Sequence, residues 1–167
     1  MNKKTAALIA GVITVVILFF VIRSQLKQGD DDEQVLLGLI DQAAAAAEKR
    51  DLKLLKGLLS ADYKDSAGRG RREINQLLTW QFLRGGKISV YILNKTALVN
   101  QAAEPRTATA KVQAVITRGA KVKRLTDIVP DQARSLTFDL SFRKEGEDWR
   151  LSAAEWTDNP NLRELLK

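Results

Sequence analysis

Asp62, Tyr63 and Asp65 form the densest group of proton-handling side chains in the sequence, and Asp139 stands apart in a later segment of alternating polarity. A carboxylate enclosed in a dry pocket has its pKa raised, because burial disfavours the charged form, and it can then move protons near neutral pH. If the protein is an enzyme, Asp62, Tyr63 and Asp139 are the residues that would carry the chemistry. The competing reading is structural: Asp62 and Asp65 cap or turn the backbone, Tyr63 packs inside, and Asp139 meets water from the polar side of its strand. The sequence contains no histidine and no cysteine. Imidazole bases, thiolate nucleophiles, disulfides and Cys/His metal centres are thereby excluded. No catalytic set is assigned on this basis, and neither a metal nor a cofactor is expected.

Two further groups have binding chemistry. Tyr63, Trp80, Tyr91 and Trp149 offer the aromatic surface from which apolar ligand pockets are built, although aromatics at such spacings also serve as ordinary core. Arg118, Lys121, Lys123 and Arg124 cluster around Gly119 in a long connection that leads to Pro130. Beside an anionic bilayer each would contribute roughly 1 kcal/mol; the alternative is a solvated hairpin tip. Arg69, Arg71 and Arg72 pose the same choice. No aromatic stacking platform accompanies either cluster, and the net charge of +7 is dispersed among 20 acidic residues, so nucleic acid is not an expected partner.

The elements that position these groups follow a segment unlike the rest. Residues 6–22 carry no charge and, at 1.5 Å per residue, span roughly 26 Å as a helix, the short end of a bilayer core. A cleaved signal peptide has a similar opening, but Phe19 to Leu26 offers no small-x-small cleavage site. The expected plan is a short cytoplasmic tail (1–5), a transmembrane helix (6–22), a linker (23–30), a domain (31–157) and a C-terminal tail (158–167). Lys3, Lys4 and the amino terminus stand against Arg23 and Lys27 under the positive-inside rule. A tail this short favours a cytoplasmic N-terminus with the domain on the far side.

Within the domain, Asp30 to Glu33 place acids where a helix N-terminus accepts them, and Val35, Leu36, Leu39, Ile40, Ala43, Ala44 and Ala47 form an apolar stripe. The alanines favour helix, and their small side chains let it lie close to a sheet. Asp51 caps a short second helix with Leu52, Leu55, Leu58 and Leu59 on one face, and Ser60 to Asp65 breaks that pattern. A third helix runs from Arg71 to Arg84 and stops at the Gly85-Gly86 pair. The period then changes to two. Strands are expected at 87–94, 97–101 and 107–118, at Leu136 to Phe142 with those apolar residues on one face, and at 149–156 after a turn at Glu145 to Asp148.

Helices first, then an antiparallel meander closing in a hairpin, is an order that resembles the nuclear transport factor 2-like superfamily, also called cystatin-like or ketosteroid-isomerase-like. Leu59-Ser-Ala-Asp-Tyr-Lys-Asp65, Arg72-Glu-Ile74 and Gly146-Glu-Asp-Trp-Arg-Leu151 carry the likeness, which covers residues 33–157. It implies an α+β fold in which about three helices pack on a curved antiparallel sheet, forming a cone whose mouth can hold a small molecule. The family uses that cone for isomerases, dehydratases, lipid or peptide binding and dimerisation. The expectation is a bacterial inner-membrane protein with a periplasmic, non-enzymatic binding or assembly domain. It would act through a protein partner, a homodimer, or an apolar ligand or lipid. A tethered isomerase or dehydratase and a lipid carrier are the alternatives.

Overall fold

Leucine and alanine recurring at three- and four-residue intervals produce the first helix, α1, over residues 31–49, which buries Leu36, Ile40 and Ala46. The computed structural model describes residues 31–84, 86–119 and 133–159. The expected anchor at 6–22, the linker, and the basic residues Lys121, Lys123 and Arg124 lie outside the described residues. Among the described residues, no helix is long and apolar enough to cross a membrane.

Arg50, at a φ of 59°, ends α1, and Asp51 begins α2 (Leu52–Gly57) by accepting a hydrogen bond from the Leu54 amide at 3.0 Å. The next segment corrects the expectation of a break. Leu59–Asp65 is a strand, β1, and Leu59 belongs to it rather than to the helix face. It pairs in parallel with the last strand, so the sheet is mixed and not purely antiparallel. Its register slips between Leu59 and Lys64, which spoils the two-residue alternation that would have marked it as a strand.

α3 (Arg71–Arg84) starts where expected. Glu73 accepts from the Gly70 amide at 3.1 Å, and the Ile74 amide bonds back to the Gly70 carbonyl. The two short strands expected at 87–94 and 97–101 are one continuous strand, β2 (Ile88–Asn100). A bulge between Ile92 and Asn94 shifts its phase, so the polar run Asn94-Lys95-Thr96 imitates a turn without being one. β3 (Thr107–Arg118), β4 (Ala133–Glu145) and β5 (Asp148–Asn159) complete a five-stranded sheet of order β1-β5-β4-β3-β2. Gly146, at a φ of 62°, provides the left-handed turn position between β4 and β5.

The helices cover one face of this sheet. Leu36 and Ile40 of α1 pack on Ala108, Ala110, Val112, Phe142 and Trp149, while Ile74 of α3 meets Leu59, Tyr63 and Ala154 near the β1 edge. α1 runs alongside β3: Asp32 contacts Arg106 at one end, and Glu48 accepts from the amide of Val90, the residue opposite Ile116, at the other.

Candidate functional site

Because α1 presents methyl groups at Ala43, Ala44 and Ala47 where longer side chains would reach the sheet, a cavity of about 220 Å³ remains between them. Opposite the alanines stand Val90 and Ile92 of β2, Val112, Ala114 and Ile116 of β3, and Phe138, Leu140 and Phe142 of β4. The strand register explains this wall. Val90 faces Ile116, Ile92 faces Ala114 and Val112 faces Phe138 across neighbouring strands, so their side chains share the inner face. Every lining residue is Ala, Val, Leu, Ile or Phe. A recess of this composition favours apolar guests, which remove its hydrocarbon from water.

The other end of the same helix is closed by charge. Asp32 is buried, and its carboxylate accepts from Lys144 Nζ at 2.7 Å, Trp149 Nε1 at 3.1 Å and Arg106 Nη1 at 2.5 Å. Burial by itself would raise the Asp32 pKa. The hydrogen bonds from Lys144 and Trp149, with the charges of Lys144 and Arg106, outweigh it and hold the carboxyl below the usual range. The acids at 30–33 were expected to serve the helix dipole; Asp32 in addition ties α1 to the β4–β5 hairpin.

A second polar cluster joins β1 to β4. Arg143 donates to both carboxylate oxygens of Asp62, at 2.7 and 2.5 Å, and to Glu145 at 3.1 Å. The buried Ser60 hydroxyl lies 2.5 Å from Asp62 and 2.5 Å from Glu145, donating to one of them at a time. Hydrogen bonds from Arg143 and Ser60 take the Asp62 pKa down to about 2. A carboxyl held so low stays ionised and is a poor base near neutrality.

The candidate catalytic residues therefore do not converge. Asp62 is exposed and ion-paired in strand β1, and it neither caps nor turns the chain. Tyr63 is buried in the α3-side core, where burial, with the nearby Asp65 charge, pushes its pKa to about 12. Asp65 does make a turn, accepting from the Ala67 and Arg69 amides and from Arg69 Nε at 2.6 Å. Arg69 in turn lies over the Trp156 ring at 5.3 Å. Asp139 points away from the helices into a hollow on the outer face, with Lys111 Nζ 3.4 Å away.

The four aromatics proposed for a ligand pocket are also dispersed. Trp149 and Tyr63 belong to different core clusters, Trp80 and Tyr91 are exposed, and none of the four lines the apolar cavity. The cavity is aliphatic with one phenylalanine pair; the alanine run, expected to let α1 lie close to the sheet, instead leaves space there at Ala43, Ala44 and Ala47. Of the basic connection, the backbone of Arg118 closes β3; Arg71 and Arg72 are exposed, and Arg72 lies 3.8 Å from Glu73.

No family model and no curated protein matches this sequence. Solved structures do. An NTF2-like protein from Pseudomonas putida KT2440 aligns with a TM-score of 0.62 and 16% identity over 77% of this chain and 87% of its own. The fold is nuclear transport factor 2-like. A hexachlorocyclohexane dehydrochlorinase from Novosphingobium barchaimii aligns at a TM-score of 0.54 and 11% identity, covering 74% of this chain and 84% of that one. Against Bdellovibrio bacteriovorus Bd1075 the TM-score is 0.62 with 11% identity over 75% of this chain, which spans only 40% of the length of that protein. The likeness is one of architecture, and proteins sharing it include an enzyme as well as one of unknown function.

Proposed function

We propose that this protein is a non-enzymatic binding module, held beside the bacterial inner membrane by residues 6–22 with its domain in the periplasm, whose cone takes up an apolar ligand. One observation carries the proposal: the cavity under α1 is lined by hydrocarbon alone, while Asp62 and Asp139 lie outside it with cationic partners. A proton-transferring site needs a titratable group at the ligand, and the residues lining this cavity have none. A cavity of such composition gains affinity by removing hydrocarbon from water, about 25 cal/mol per Å². The uncharged 6–22 segment supports a tether, which would keep the domain at high local concentration beside lipids and membrane partners, including a second copy.

The test is extraction of the full-length protein from membranes followed by native mass spectrometry, with Asp62→Ala, Tyr63→Phe and Asp139→Ala alongside. The expected result is a membrane-associated protein carrying an apolar adduct that all three variants retain. A variant that keeps its fold and its adduct but loses cellular function would establish catalysis instead. Protein recovered only from the soluble fraction would end the tethered reading.

A further inference from the structure

We infer that the apolar ligand carries an anionic head and that Arg69 receives it beside the exposed indole of Trp156. The inference deepens the ligand-binding reading above and rests on it. Register brings these two residues to the edge of the cavity. Phe138 and Leu140 line the cavity from β4, and their partners on β5 are Trp156 and Ala154. Ala154 pairs in turn with Asp65 of β1. Asp65 therefore stands two strand spacings, about 10 Å, from Leu140. Its enclosed side chain holds Arg69.

Arg69 is fixed in place with half of its donors unused. The Asp65 carboxylate accepts from the Ala67 amide at 3.0 Å, from the Arg69 amide at 2.8 Å and from Arg69 Nε at 2.6 Å. The Asp65 amide donates to the Arg69 carbonyl at 3.0 Å, so the loop between them is closed from both ends. The guanidinium then lies 5.3 Å from the centre of the Trp156 ring. Other arginines of the domain commit their terminal nitrogens to the protein: Arg106 to Asp32, Arg134 to Asp158, Arg143 to Asp62 and Glu145, and Arg150 to Gly57 and Asp148. Arg69 commits Nε instead. Among the described residues neither its Nη1 nor its Nη2 makes a hydrogen bond, and 36% of the side chain is open to solvent.

Two N–H groups held in one plane match two oxygens of a carboxylate or phosphate. The surrounding acids leave that fork free. Asp65 is bound to Nε, Glu73 accepts from the Gly70 amide, Asp158 is paired with Arg134, and Glu155 lies on the outer face. Trp156, 41% exposed, supplies hydrocarbon between the fork and Phe138. The cavity lining has no group that could hold a charge. A tail in the cavity with its head at Arg69 gives every part of an anionic amphiphile a matching surface.

The experiment titrates full-length protein in phosphatidylcholine nanodiscs with decanoate and with decanol at about pH 8, where a carboxylic acid is ionised, with empty nanodiscs as the blank. Arg69→Gln should weaken decanoate about tenfold and leave decanol within about twofold. Arg69→Lys keeps the charge but has a single nitrogen, which Asp65 claims, so it should lose nearly as much. Arg72→Gln removes the same charge from an exposed position beside Glu73 and should change neither affinity. Equal losses in Arg69→Gln and Arg72→Gln, or full decanoate affinity in Arg69→Lys, overturn the Arg69 site and leave the ligand-binding reading standing. Absence of binding by both ligands overturns that reading itself. If Arg69→Gln does not fold, Trp156→Leu leaves the Asp65 clasp intact and should weaken decanoate severalfold more than decanol; equal weakening overturns the head-group site. Vesicles identify the source: phosphatidylglycerol taken up in preference to phosphatidylcholine supports a bilayer lipid, and uptake of decanoate alone supports a free acid. A preference for phosphatidylcholine overturns the anionic head.

Discussion

The two halves of α1 meet the same sheet with opposite chemistry. At the N-terminal half, Leu36 is fully buried against β3 and Asp32 is clasped by two cations and an indole; at the C-terminal half, Ala43, Ala44 and Ala47 face open space. Underpacking weakens a fold, because lining atoms lose dispersion partners. The difference teaches how that weakness is tolerated. The helix is pinned at both ends, by the Asp32 cluster and by Glu48 at the Val90 amide, so its position does not depend on filling the middle.

The sharpest way to break the comparison is to remove the pin. Asp32→Ala strands Lys144 and Arg106 in a largely buried site, and urea unfolding should show a loss of about 3–5 kcal/mol. A loss near zero would mean that α1 is held elsewhere. Trp149→Phe keeps the ring and removes one hydrogen bond to a charged acceptor, for an expected cost of about 1.5–3 kcal/mol. At the hollow end the sign reverses. Ala44→Leu fills apolar space and should stabilise the protein by about 0.5–2 kcal/mol while weakening ligand uptake. Destabilisation there would show that the space is already occupied by packing.

The pH dependence separates the two regions further. Asp62 has its pKa lowered from 3.8 to about 2, and Asp32, Asp65 and Glu145 shift in the same direction. A lowered carboxyl stabilises the fold above its unfolded pKa, so stability should fall as the pH drops from about 4 towards 2. Tyr63, raised from 10.0 to about 12, acts at the other extreme: its contribution is complete below pH 10 and is lost between 10 and 12. Affinity for an uncharged alkane should stay flat between these limits, since no lining residue titrates. The smallest effect expected is from Asp62→Asn, which should shallow the acid limb and leave ligand affinity unchanged. A change in affinity would couple the Arg143 cluster to the cavity.

Most of the architecture was legible in local pattern. The stripe from Leu36 to Ala47, without Val35, which is exposed, the Asp51 cap, the span of α3, the alternation of β3 and the turn at Gly146 follow from side-chain period and turn chemistry, which neighbouring residues determine between themselves. β1 and the continuity of β2 were not, because bulges shift their phase and the partner of β1 lies at the far end of the chain. The site divides in the same way. The absence of histidine and cysteine, and the alanine run, were matters of composition. That Asp62 would face Arg143, that Asp32 would be buried beneath the hairpin, and that three alanines would bound a cavity depended on helix and strands brought together across as many as 117 positions. Long-range register decides which face a side chain occupies, and that face decides whether an acid is ionised at the rim or a methyl group borders empty space.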